Sequence, residues 1–503
     1  MPVSINNEQY FQTNHLKSNL KQRSIRGGLV RLTSQITIFA INLVSLSVLA
    51  RLLTPDDFGL IEMVAAFTFF IIMIKEMGLS WATVQQENLT HPQISTLFWV
   101  NMSTSLGFVL FAVALSPLLA RFYNEPKLVW LTVVLSGTFI TSGLAIQHQA
   151  LLIRQMRFSA LTTVEITSKA LAVAVAIILA RRGAGYWTLA VMQLVDGGAR
   201  AVGVWIACGW RPGPPKRRVG LRAMIVLGGN LTGSRILDYL TRNLDNVLIG
   251  WRWGARETGL YTRAYKILLL PINQINVPLS SVALPALTRL KDDPERFNNY
   301  YLNVLWIIAF ITVPLVALMF VLSKEIIDLV LGPQWGGVVL IFRFLCLSAL
   351  FEPILSVLNW LYMSTGRTDR MIKWGMIYTS IIIVSFIIGL SYGARGVALA
   401  YSLTTLILVV PSMAYATSHT RMDIKDIIVT IRPALLATLV AGTAGLAFKH
   451  LLNLEISIWI ETIISGLMMM AVYLIITLGF YGKRDFLIDF FKEVFHQGQS
   501  AST

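Results

Sequence analysis

Apolar runs of about 20 residues recur along this chain from Gly27 to the neighbourhood of Tyr481. Each is long enough to carry a helix across a hydrocarbon core of about 30 Å. Inside lipid no water satisfies backbone N–H and C=O groups, so a spanning segment must be a helix or part of a closed barrel. Barrel strands leave short segments of alternating polarity, whereas these runs are continuous. The chain therefore reads as an all-α polytopic membrane protein. Its charged fraction of 14% is roughly half that of a soluble domain.

About fourteen spans can be placed, centred near residues 39, 68, 107, 136, 170, 196, 237, 268, 310, 350, 381, 406, 438 and 467. Connections are short, and an even count returns both termini to one side. With that side cytoplasmic, the inner segments include "KSNLKQR", "IRQMR", "RPGPPKRRVGLR", "TRLKDDPER", "GRTDRMIK" and "RMDIKDIIVTIR". The inner segments hold roughly 23 Lys and Arg against roughly 10 outside, the bias of the positive-inside rule. Topology thus accounts for the net charge of +16, and no nucleic-acid partner is expected. The inner loop "WATVQQENLTHPQ", without Lys or Arg, adds nothing to the bias.

Residues 1–26 are polar and lack the apolar core of a signal peptide, so they read as a cytoplasmic tail. "WRPGPPKRRVG" (210–220) is extended and turn-prone. It suggests an N-lobe over 27–208 (spans 1–6), a basic Pro-rich cytoplasmic linker over 209–222, and a C-lobe over 223–417 (spans 7–12). Two further spans occupy 427–480, and 481–503 forms a cytoplasmic amphipathic tail. Cys208 and Cys346 both lie in apolar segments and imply no disulfide framework.

The two six-helix lobes show traces of a repeat. Shifted by 200 residues, "LTPDDFGL" (53–60) meets "WGARETGL" (253–260), placing Gly59 on Gly259 and Leu60 on Leu260. Shifted by 210, "RGAGYWTLA" (182–190) meets "YGARGVALA" (392–400), and Arg157 meets Arg367. Pseudo-symmetric lobes with a binding site between them are a transporter architecture.

"RILDYLTRNLDNVLIG" (235–250) is the most expensive span. At about 100° per residue, Arg235, Asp238, Tyr239, Arg242, Asp245 and Asn246 share a stripe about 120° wide. Each charge costs about 2.5–3.5 kcal/mol at the bilayer centre, so this stripe must face water, a partner helix or itself. The i,i+3 and i,i+4 spacings also permit pairing within the helix. The first span repeats the pattern with Arg31, Ser34, Gln35, Asn42 and Ser45.

Further charges enter the apolar runs. Arg263 and Lys266 lie in the eighth span, and Arg343 and Glu352 in the tenth. Glu165 and Lys169 in the fifth are spaced i,i+4, as are Asp196 and Arg200 in the sixth. Arg31, Asn42, Arg235, Arg242, Arg263 and Lys266 are the candidate cavity residues, and their cationic surplus suits an anionic cargo. Arginine bonds two phosphate oxygens with one planar fork. Asp238, Asp245, Glu165 and Asp196 either bind a coupling H⁺ or Na⁺ or balance the arginines. No catalytic residue, metal site or cofactor is expected. Pro271, Pro278 and Pro285 are expected to kink the eighth span.

"VLARLLTPDDFGLIEMV" (48–64) and "KEMGLSWATVQQENLTHPQISTLFWVN" (75–101) resemble the polysaccharide transporter family. So do "LDNVLIG…TGLYTRAYKILLLPI" (244–272) and "RFYNEP" (121–126). This family comprises Wzx-type flippases and colanic-acid-exporter-like proteins, within the multidrug, oligosaccharidyl-lipid and polysaccharide exporter superfamily. The resemblance covers about residues 27–417. It implies two bundles opening alternately to the two membrane faces, in a bacterial inner membrane. It also implies an undecaprenyl-diphosphate-linked oligosaccharide as cargo, surrounding lipids as partners, and polymerase and chain-length machinery downstream. Two alternatives stand beside it. A cation-coupled drug exporter would want an acidic cavity, and a polysaccharide polymerase or ligase would want a large outer loop.

Overall fold

The computed structural model describes residues 20–76, 83–84, 89–216, 222–420, 422–452 and 458–480. These residues are overwhelmingly helical. In chain order the helices are α1 (Leu20–Leu52), α2 (Pro55–Glu76), α3 (His91–Tyr123), α4 (Leu128–Arg154), α5 (Phe158–Arg181) and α6 (Trp187–Cys208). There follow α7 (Arg222–Leu290), α8 (Pro294–Val321), α9 (Ser323–Val330), α10 (Gly336–Ala349) and α11 (Glu352–Ser364). The last are α12 (Thr368–Gly389), α13 (Gly393–Thr417), α14 (Ile424–Leu452) and α15 (Ile458–Leu474).

Eleven stretches of the described residues are long and apolar enough to cross a membrane. That number does not establish the expected fourteen. One stretch, Thr368–Thr417, holds both α12 and α13. Another, Asn243–Leu290, continues across a break in α7 at Gly254, whose φ of 81° and ψ of −170° are non-helical. Glycine alone takes that conformation without steric cost, so α7 is two successive helices joined there.

Local chemistry sets the ends. Ahead of α2, the Thr54 N–H and Oγ1–H both donate to Asp57 Oδ2, at 2.9 and 2.8 Å. Asp57 N–H returns a bond of 3.3 Å to Thr54 Oγ1. With Pro55 at the first helical position this is a capping box. Thr90 and Gln93 form another ahead of α3. Asp293 accepts from Arg296 N–H at 3.2 Å to open α8.

Pro271, Pro278 and Pro285 sit inside the helical stretch from Gly254 to Leu290. The tenth span is discontinuous, with α10 ending at Ala349 and α11 starting at Glu352. Pro353 supplies the reason, because it has no N–H to bond the Ala349 carbonyl four residues back and its ring crowds that carbonyl.

The chain forms two compact units. Unit 1 comprises residues 1–262 and 330–334, and unit 2 comprises 263–329 and 335–503. In unit 1, Ile94, Leu97, Phe98, Leu151, Leu152, Val204, Cys208 and Trp210 form one core. In unit 2, Leu287, Tyr301, Leu305, Ile308, Ile354, Leu361, Met413 and Ile427 form another. The outward faces are also apolar: Ile206 is 77% exposed, Ile407 71% and Leu467 67%. In water such a surface would drive association. On a multi-pass membrane protein it is the face that lipid covers.

Candidate functional site

Unit 1 draws several of the predicted polar residues together. On α1, Ser34 and Ser45 are buried and Gln35 and Asn42 half-buried, while Ile36 and Val44 are exposed. The polar stripe of the first span thus turns inward. The helix packing beside α1 is α5, which carries Glu165 and Lys169 one turn apart.

Lys169 does not pair with Glu165. Its Nζ lies 3.3 Å from Asp196 Oδ2 on α6, and Arg200 Nη2 lies 3.8 Å from the same oxygen. Asp196 therefore joins two cations across two helices. Its other oxygen, Oδ1, is buried without a hydrogen-bond partner among the described residues. Glu165 is half-buried and likewise has no partner among the described residues. The cluster holds two cations and two carboxylates, with spare acceptor capacity at both acids.

The first half of α7 shows two faces. Tyr239 donates its hydroxyl to the Ala66 carbonyl of α2, and its ring tilts against Phe70 at 5.5 Å between centroids. Asp245 is buried and accepts from Tyr261 Oη at 2.8 Å and from the Asn246 N–H at 2.7 Å. Tyr261 lies beyond Gly254, so this bond staples the two halves of α7. Asn246 Oδ1 is buried without a partner among the described residues. The side chains of Arg31, Arg235, Asp238 and Arg242 lie outside the described residues.

In unit 2, Arg263 is buried, and Lys266, three residues on, is exposed; each makes interactions of its own. Between them in sequence stands Tyr265, which shares a side-chain hydrogen bond with Tyr401. Glu352 and Tyr378 lie within electrostatic range of Tyr401. Glu352 of this group opens α11, and sequence reasoning located Glu352 but missed the tyrosines. An acid followed by proline in mid-span was the available signal. Arg343 is engaged nearer the chain turn, donating from Nε to Ser323 Oγ at 2.6 Å.

Sequence reasoning also missed how residues 209–216 are held. Trp210 is buried, donates its indole N–H to His91 Nδ1 at 3.1 Å, and accepts at its carbonyl from His148 Nε2 at 3.1 Å. His148 stacks on Trp205 at 4.4 Å. Gly213 N–H donates to Ser95 Oγ at 2.9 Å, Trp99 donates to the Gly213 carbonyl at 2.9 Å, and Lys216 N–H donates to Thr96 Oγ1 at 3.1 Å. The segment is a strap laid over the start of α3.

These apolar helices with charges folded inside define a polytopic transporter fold. It is shared with the lipid II flippase MurJ in an inward closed conformation, at 16% identity and a TM-score of 0.74, covering 92% of this chain and all of that one. An inward-facing multidrug resistance MATE family transporter of the MOP superfamily matches at 14% identity and a TM-score of 0.57, covering 79% of this chain and 98% of that one.

Residues 48–340 match the family described as polysaccharide biosynthesis protein, and the chain belongs to that family. Lipopolysaccharide biosynthesis protein WzxC of Escherichia coli (strain K12) is 25% identical over 77% of this chain and 80% of its own length. Teichuronic acid biosynthesis protein TuaB of Bacillus subtilis (strain 168) is 27% identical over 68% and 71%. Succinoglycan biosynthesis transport protein ExoT of Rhizobium meliloti (strain 1021) is 22% identical over 82% and 84%.

Proposed function

We propose that this protein flips an undecaprenyl-diphosphate-linked oligosaccharide across the bacterial inner membrane by alternating access, for surface polysaccharide synthesis. The observation that carries the reading is a charged interior in a family of polysaccharide biosynthesis proteins. Lys169, Asp196 and Arg200 meet inside apolar helices, and Arg263 is buried on another. Buried cations are costly in lipid and suit a diphosphate, whose oxygens they can bond. Arg31, Asn42, Arg235, Arg242, Arg263 and Lys266 are the residues proposed to bind the diphosphate. The polyprenyl tail would stay in lipid while the lobes, 27–208 and 223–417, rock about the linker 209–222. Asp196 and Glu165, with spare acceptor capacity, and Asp238 and Asp245 are the proposed carriers of a coupling H⁺ or Na⁺. Both termini would lie in the cytoplasm, and the flipped unit would pass to polymerase and chain-length machinery.

A deletion strain tests this directly. It should lose the surface polysaccharide and accumulate its lipid-linked repeat unit on the cytoplasmic leaflet. Loss of the polysaccharide with no accumulated intermediate would contradict the proposal, as would new glycosidic bonds made by the purified protein.

A further inference from the structure

The 200-residue repeat coincides with an unusual backbone contact. A Cβ on Gly59 would sit 1.7 Å from the Ala255 carbonyl oxygen, and a Cβ on Gly259 would sit 1.9 Å from the Pro55 carbonyl oxygen. Neither position tolerates any side chain without moving backbone. Gly59 and Gly259 are repeat equivalents, and so are Pro55 and Ala255. The contact is therefore reciprocal: each helix presses its glycine Cα onto the carbonyl that precedes the other's glycine by one turn. Cα–H···O contacts of this kind recur where helices pack closely, and glycine is what allows such approach.

Further contacts surround this pair within unit 1. Phe122 stacks on Trp251 at 6.2 Å. Gln334 Nε2 donates to the Ala50 carbonyl at 2.5 Å. A Cβ on Gly250 would lie 3.2 Å from Met63 Cγ and 2.9 Å from Tyr123 Cε1. Turns 53–54, 124–127, 253–255 and 331–335 are all outward in the proposed orientation.

We propose that the paired glycine–carbonyl contact closes the outer end of the transport path, and that each cycle breaks and remakes it. This rests on the flippase reading and its orientation. The contact uses backbone alone, so separating it leaves no side-chain charge to resolvate. The repeat makes the two glycines equivalent, so alanine at either should obstruct closure alike.

Cysteine cross-linking tests the closure. In a chain with Cys208 and Cys346 replaced, Met63→Cys with Gly250→Cys puts a sulfur near the Met63 Cγ position, within disulfide reach of the new Cβ. Oxidation in native membranes should form the bond and stop polysaccharide export, and reduction should restore export. Gly59→Ala and Gly259→Ala should each lower the cross-link yield at least tenfold. Full cross-linking with export intact would overturn the proposal, as would yields unchanged by both alanines. If the alanine variants fail to accumulate, the oxidised and reduced glycine protein still decides the matter. Cross-link yield needs no cargo, so it reads the closure separately from the flippase assignment.

Discussion

Asp196 is the residue on which the interior charge of unit 1 depends. It is the one carboxylate bonded to both Lys169 and Arg200. These side chains are between 20% and 35% exposed, so their coupling falls between a surface pair and a buried one. Asp196→Asn should destabilise the protein by about 1–3 kcal/mol, seen as earlier thermal unfolding in detergent. Lys169→Met, Asp196→Leu and Arg200→Met together should recover much of that stability, since apolar replacement of a whole ion cluster is often neutral. Under the proposed function the triple variant should still fail to export polysaccharide. Export restored together with stability would make the cluster structural. Tyr261→Phe tests a different bond. It leaves buried Asp245 without its hydroxyl donor and should cost about 1–3 kcal/mol, read by the same unfolding measurement.

At the scale of elements, the strap of residues 209–216 is the clearest prediction. Trp210→Ala would empty a large buried volume and remove the hydrogen bond to His91. Such truncations cost about 3–5 kcal/mol, and tryptic cleavage after Lys216 should become markedly faster. Trp210→Phe keeps the ring packing and should cost only about 0.5–1.5 kcal/mol; cleavage as fast as with alanine would contradict this account. The strap was illegible in the sequence because its partners lie 62 to 120 residues away. Composition there reads only as a Pro-rich linker. The inward stripe of α1 was legible, since Ser34, Gln35, Asn42 and Ser45 follow helical spacing. The break in the tenth span was not read from the sequence, for a physical reason. Membrane helices absorb internal prolines, as at Pro271, Pro278 and Pro285, whereas Glu352–Pro353 combines a proline with a charge suited to a new helix start.

Across the whole molecule, one sign convention ties the parts together. The excess of Lys and Arg predicts which turns face the cytoplasm, and the repeat pairs turns that must then share a side. Periodicity and charge alone carried the membrane fold this far, because lipid forbids the alternatives. The glycine–carbonyl contact needed three-dimensional structure, since an isolated glycine in sequence does not reveal what it touches. Orientation remains the hinge between the two. Tyr392 is 80% exposed and lies in a turn predicted to be outside, while Arg367 is exposed in a turn predicted to be inside. In chains lacking Cys208 and Cys346, Tyr392→Cys should react with a maleimide that cannot cross the inner membrane. Arg367→Cys should react only after permeabilisation. The reverse pattern would place the closed end on the cytoplasmic face, and the Gly59–Gly259 contact would then bar entry of cargo rather than its exit.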